Sequence, residues 1–370
     1  MKPLDYGEDR DISYREMLYS VPSWVIAVGL LTIPYTVAST VHSSDGWMSI
    51  VIGGLGATAF CLINILLGYR FPGRSFLEYA SALISRPAAS LICMAMAVNF
   101  VLWVSYETRA MAEIATMYLF FRTPSEIIAL VFILVVIYAV AGQREGIFRL
   151  HLMFMPIIIT IALIVIAMSI RSIRVDQLLP FWTSSWKEIL EGAKVSSFSF
   201  VGFEFLLFYI PLMKKPKKPV RLAVIGMGIP VTLYVIFFFA TIGVLGLEVT
   251  SSVPFPSIEL AKYNEIQVLG MIFERFESVF FVVWVMAIFG TAMIGFDVAV
   301  LGLQSVFPRV RKRHWLYMLA PFVYIGAFVP KGQNELNSLG VILSYAGVVT
   351  GCVIPSTLLV VAILRKKRKL

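Results

Sequence analysis

Residues 17–40 read MLYSVPSWVIAVGLLTIPYTVAST, with no Asp, Glu, Lys or Arg among them. A helix of that length runs about 36 Å at roughly 1.5 Å per residue, enough to cross a hydrocarbon core about 30 Å thick. The run is too long for the apolar core of a cleaved signal and lacks a clear A-x-A exit, so it reads as a first membrane span. At its centre, Ala27-Val28-Gly29-Leu30-Leu31-Thr32-Ile33-Pro34 sets a glycine five residues ahead of a proline. Glycine loosens the backbone and proline removes a helical donor, so an interruption of the span is expected there.

Outward from this stretch the rest of the chain is of the same kind. Hydrophobic residues make up 59% of the 370 and charged residues 14%, against roughly 25% charged in a soluble domain. Such a chain cannot cover itself with polar surface, so its solvent is lipid; disorder is excluded by its wealth of aromatics and poverty of charge. Ten apolar stretches fall at 17–40, 46–69, 88–117, 124–141, 147–170, 189–211, 219–247, 278–306, 315–328 and 336–364. The expected fold is an all-α polytopic membrane protein of about ten transmembrane helices. It forms one domain over 1–370, with a short N-terminal tail (1–16) and a basic C-terminal tail (365–370). Twenty-two Lys and Arg fall in one alternating set of connections and seven in the other, which places both ends in the cytoplasm. The basic residues behind the net charge of +9 sit in short blocks between spans, a pattern that argues against a nucleic-acid partner.

Ten spans with both ends on one side suggest a five-plus-five inverted repeat. In that plan the first helix of each half is broken at mid-membrane, and the freed backbone groups hold a ligand. The first span offers Gly29 and Pro34. The sixth offers Ser196-Ser197-Phe198-Ser199-Phe200-Val201-Gly202-Phe203-Glu204, with Pro211 beyond. Glu204 is the ionisable residue nearest the membrane centre, where a carboxyl is protonated, paired, or the counter-charge of an ammonium group. Asp297 lies closer to the cytoplasmic end of the eighth span. A second set, Glu107, Arg109 and Glu113, has a complement across the longest outer connection in Glu274, Arg275 and Glu277. The two sets would either meet as an outer ionic cluster tying the third and eighth spans or each face water. Cys61, Cys93 and Cys352 stand singly in apolar segments and read as packing residues. There is no P-loop, G-x-S-x-G or H-E-x-x-H, so no cofactor, metal site or enzymatic role is expected.

These same stretches carry a family resemblance. Gly29-Leu30-Leu31-Thr32-Ile33-Pro34, Asp45-Gly46-Trp47 and Glu107-Thr108-Arg109-Ala110-Met111-Ala112-Glu113 are followed in order by Leu179-Pro180 and Ser199-Phe200-Val201-Gly202-Phe203-Glu204. Last come Phe273-Glu274-Arg275-Phe276-Glu277-Ser278 and Val283-Trp284. In these the sequence resembles the B subunits of spore nutrient germination receptors (the GerAB type), a branch of the amino acid–polyamine–organocation transporter superfamily.

The resemblance implies a LeuT-like fold with broken first and sixth helices, placed in the inner membrane of an endospore. It implies a subunit that binds a small germinant, commonly an amino acid, and works with an A-type and a lipoprotein C-type subunit. By analogy the pocket would be lined by Ala27, Val28, Gly29 and Leu30 of the first helix and Ser199, Val201 and Gly202 of the sixth. Tyr106 of the third helix and Gly290 and Thr291 of the eighth would complete it, with Glu204 facing an ammonium group. Ala27 departs from the glycine that transporter relatives often carry there, which narrows the expected pocket. The fifth span has no Lys to act as a fixed cation, and no cluster of hydroxyls suggests a sodium site; both weaken active transport. The alternative reading is an amino acid permease of the same superfamily that takes up its substrate. A membrane scaffold is a third.

Overall fold

The computed structural model describes residues 12–213, 218–268 and 276–365, with side chains for all of these except 264–268 and 276–277. The described residues are mainly helical, with one isolated backbone bridge between Ile12 and Met213. The helices are α1 (Tyr14–Val41), α2 (Gly46–Arg70), α3 (Phe76–Leu83), α4 (Arg86–Tyr118), α5 (Ser125–Ala141), α6 (Arg144–Ser169) and α7 (Trp186–Ser197). They continue with α8 (Leu206–Tyr209), α9 (Pro219–Leu245), α10 (Leu247–Ser252), α11 (Pro256–Val268), α12 (Phe276–Val306), α13 (Lys312–Ala327), α14 (Gln333–Val348) and α15 (Ile354–Leu364). Among the described residues, seven stretches are long and apolar enough to cross a membrane, and a pair bent by 44° around α7 and α8 adds an eighth. The fourth and ninth expected spans appear as α5 and α13, of 17 and 16 residues. At about 1.5 Å per residue these reach roughly 26 and 24 Å, shorter than a full crossing.

Local sequence sets the helix starts. Ser13 and Glu16, Ser75 and Glu78, and Ser185 and Glu188 each form a reciprocal capping box at the head of α1, α3 and α7. Each box satisfies two backbone donors that a helix start would otherwise leave open. The connection after α9 contains α11, which packs on α1, α6, α9 and α12.

Spans at matching places in the two halves pack on one another. The first (α1) lies against the sixth (α7), the second (α2) against the seventh (α9), and the third (α4) against the eighth (α12). α1 and α12 are the most enclosed spans and α6 the least. The tenth span is α14 and α15 joined through a π-helical turn at Val349–Val353.

The expected break in the first helix is absent: α1 is one continuous helix through Gly29 and Pro34. Pro34 has no N–H for the carbonyl four residues back, that of Leu30. The Ser257 hydroxyl donates to this carbonyl at 2.7 Å. A hydroxyl from a neighbouring segment thus replaces the bond the proline removes, and the helix need not unwind. The same device recurs in the tenth span, where Asn64 Nδ2 donates at 2.7 Å to the carbonyl of Gly351, four residues before Pro355.

Candidate functional site

The sixth span does break, at Val201 and Gly202. Short 3-10 turns at Phe198–Phe200 and Phe203–Phe205 flank the two residues, and Gly202 has φ +109. L-residues avoid that region because Cβ meets the backbone. Space forbids a side chain as well, since a Cβ on Gly202 would run into the Trp24 indole. The indole Nε1 donates to the Val201 carbonyl at 3.1 Å. One tryptophan of α1 therefore both fills the gap and occupies a carbonyl freed by the break.

Beside this break lies a cavity of about 290 Å³, bounded by α1, α4, α7 and the following turn, the segment before α11, and α14. That is close to the lower limit of pockets for small organic ligands. Its α4 wall is Trp103, Tyr106 and Glu107, which share a helix face at spacings of three and four,. On α1 it runs from Trp24, at mid-helix, to Thr36 near the C-terminal end. The first turns of α14 contribute Gln333 and Asn337, with Gly340 and Ser344 deeper along the same face.

Of the residues named from sequence, Val28, Gly29, Tyr106, Ser199 and Val201 line this cavity. The remaining six lie elsewhere. Ala27 is buried and its carbonyl accepts from Trp284 Nε1 at 2.9 Å. Leu30 faces a small apolar crevice between α1, α6 and α12. Gly202 is filled by Trp24, as above. Gly290 abuts His151 and Ser23 at the junction of α12, α6 and α1, and the Thr291 hydroxyl donates to its own helix at Ala287, 3.2 Å away. Glu204 points away from the cavity into the tenth span: Thr350 Oγ1 donates to its Oε1 at 3.0 Å, and Gly347 and Gly351 leave room for the carboxyl. The eighth span is thus replaced at the cavity by the tenth.

The expected outer cluster also divides. Arg109 Nε donates to Glu113 Oε1 at 2.7 Å, and its guanidinium sits 4.9 Å over the Phe328 ring. Glu107 turns instead to the cavity, because residues two apart on a helix point to opposite sides. Glu274 and Arg275 lie outside the described residues, as does the side chain of Glu277. At this end α4 meets α11 through Tyr118, whose hydroxyl donates to Glu259 at 3.2 Å.

Comparison with known families accounts for this arrangement. A family model described as "Spore germination protein" matches residues 11–336. The chain belongs to the spore germination protein family. Spore germination protein GerLB of Bacillus cereus is 32% identical over 371 residues, covering 100% of this chain and 98% of that protein. YndE of Bacillus subtilis is 32% identical over 345 residues, covering 93% of this chain and 94% of that protein. Among solved structures, MhsT in complex with L-phenylalanine superposes with a TM-score of 0.74 at 15% identity, over 95% of this chain and 89% of MhsT. Mhp1, a nucleobase-cation-symport-1 family transporter, gives 0.72 at 15% identity, over 100% of this chain and 81% of Mhp1. The spore germination protein thus has the LeuT-type fold and is a membrane subunit of the GerAB type.

At the end of the spore germination protein opposite Thr36, a buried charge network joins four helices. Asp297 Oδ2 accepts from Arg144 Nε at 2.8 Å and from the Tyr209 hydroxyl at 2.6 Å. Lys312 Nζ lies 3.1 Å from Oδ1. Arg144 Nη2 also donates to Gln304 Oε1 at 3.1 Å. This ties the starts of α6 and α13 to α12 and to the second half of the broken span. Asp45, between α1 and α2, anchors a second joint: its carboxylate accepts from the backbone N–H of Trp182 and Thr183 at 2.7 Å and of Ser184 at 3.0 Å. Sequence reasoning gave Asp297 little weight and Asp45 no role, and it did not weigh Trp103 or α14. The signal for α14 was present as polar Gln333, Asn337 and Ser344 on one helical face.

Proposed function

We propose that this subunit binds a small nutrient germinant, an amino acid, in the cavity beside Val201 and Gly202, and that binding triggers germination. The observation that carries the reading is that cavity, set at the helix break of a chain that belongs to the spore germination protein family. Binding acts by population shift: a ligand with higher affinity for one arrangement of α1, α4, α14 and the broken span biases the receptor toward it. The Asp297 network ties α6, α12, α13 and Tyr209 together at the opposite end, so a shift that separates them has to break it. We place both termini in the cytoplasm and the subunit in the inner spore membrane, beside an A-type and a lipoprotein C-type subunit.

The reading is tested by thermal stability of the purified chain against amino acids, sugars and nucleosides, with germination of spores carrying the same variants. Val28→Phe pushes a ring into the cavity from α1 and is expected to abolish both the ligand-induced shift and the germination response. Gly29→Leu is a poorer probe, because even a Cβ there meets the Tyr234 hydroxyl, which donates to the Val25 carbonyl at 2.5 Å. A normal response in Val28→Phe refutes the cavity as the germinant site. The transporter fold itself favours a second reading, uptake of the same ligand as a permease. Steady accumulation of labelled ligand by vesicles holding this chain alone would establish it.

A further inference from the structure

Among the described side chains that line the cavity, Glu107 is the one carboxylate, and no described Lys, Arg or His stands with it. Glu107 is 4% exposed, and its Oε2 has no hydrogen-bond partner among the described residues. The nearest cation in sequence, Arg109, is engaged by Glu113 and Phe328 on the other side of α4. A carboxylate in a largely apolar enclosure without a counter-charge is costly, and the cost is relieved by a partner that brings positive charge and N–H donors. The rest of the wall suits such a partner. Trp24, Trp103 and Tyr106 line the same space, and indole and phenol faces attract cations. One turn before Glu107, Trp103 Nε1 is also buried without a partner among the described residues. It is a donor awaiting an acceptor oxygen.

We infer that Glu107 is the ammonium-recognising residue of this cavity, and that the ligand is an organic compound carrying a protonated primary amine. The inference rests on the proposed germinant site and assigns the residue that recognises the ligand's ammonium group there. The ammonium group donates to Glu107 and lies among the aromatic rings; a ligand carboxylate, where there is one, accepts from the Trp103 indole N–H. Glu204, named from sequence for this role, does not line the cavity; its Oε1 accepts from Thr350 in the tenth span. Sugars, nucleosides and simple carboxylic acids bring no positive charge to the Glu107 carboxylate.

The test uses the full chain in lipid nanodiscs, with Kd measured for L-alanine, propylamine, propionate, inosine and glucose. The expected result is binding by ammonium compounds alone. Glu107→Gln, nearly the same shape without the charge, should weaken that binding about 10- to 100-fold, the effect of losing a hydrogen bond to a charged group. Its melting temperature without ligand should be retained or raised. Binding of L-alanine but not propylamine identifies a zwitterion; binding of both identifies the amine alone as sufficient. Either supports the inference. An unchanged Kd for L-alanine in Glu107→Gln overturns the role of Glu107 and leaves the germinant site standing. Binding of inosine, glucose or propionate that is blocked by Val28→Phe overturns the ligand class, again with the site intact. The wild-type panel decides this even where the variant fails to insert. Binding by none of the five overturns both this inference and the site on which it rests.

Discussion

Replacing Asp297 by Asn removes the charge on which the network opposite the cavity converges, and the structure sets the size of the effect. The carboxylate is fully buried and accepts from Arg144 and Tyr209 at 2.8 and 2.6 Å, with Lys312 at 3.1 Å. Asn keeps the shape but leaves Arg144, itself 3% exposed, without the carboxylate that offsets its charge; the neutral Gln304 oxygen remains. Breaking a buried pair from one side costs about 3–5 kcal/mol, chiefly the burden of the remaining charge. Lys312 adds little, because its partly exposed ammonium can turn to water,. A loss of that size is a large share of a stability of about 5–15 kcal/mol. If the remaining charge is the cause, Arg144→Met should cancel much of the damage, with a coupling on the order of 2–3 kcal/mol in the double mutant. The assay is reversible unfolding in mixed micelles for the wild type, both single variants and the double. Single losses below about 1 kcal/mol that simply add would refute the reasoning.

Two further outcomes follow from other joints. Gly202→Ala forces a side chain into φ +109 and against Trp24; about 1–2 kcal/mol of backbone strain and 1–3 for the lost indole bond should lower the melting temperature clearly, and an unchanged melting curve would contradict this. At Asp45, burial alone would raise the carboxyl pKa, but the N–H groups of Trp182, Ser184 and Thr183 outweigh it and hold the value below the ordinary range. The stability this contributes is present above the unfolded pKa of about 3.9 and is lost as pH falls through the lower folded value. Asp45→Asn should therefore be less stable than wild type by about 1–3 kcal/mol at neutral pH. The gap should narrow below about pH 4; a gap constant with pH would count against the account.

The sequence by itself determined the solvent, the helical class and the break in the sixth span. Long charge-free runs admit one backbone solution in lipid, because every N–H and C=O must be satisfied within the segment. Gly202 amid Ser199, Phe200 and Glu204 marked a place where that solution fails. The resemblance of the short collinear motifs to the GerAB type was legible in the same residues. Tertiary structure decided what the sequence left open or suggested wrongly. Gly29 and Pro34 resemble the pattern at Gly202 and Pro211, yet α1 stays whole because Ser257, 227 residues away, serves the Leu30 carbonyl. Glu107 and Arg109 are near neighbours in sequence, but helical rotation sends one to the cavity and the other to Glu113 and Phe328. Glu204 sits at the break, and the glycines of the tenth span take its carboxyl out of the cavity. For α1 and for Glu204 the deciding partner comes from a distant segment, and short-range spacing carries no information about which segment packs there.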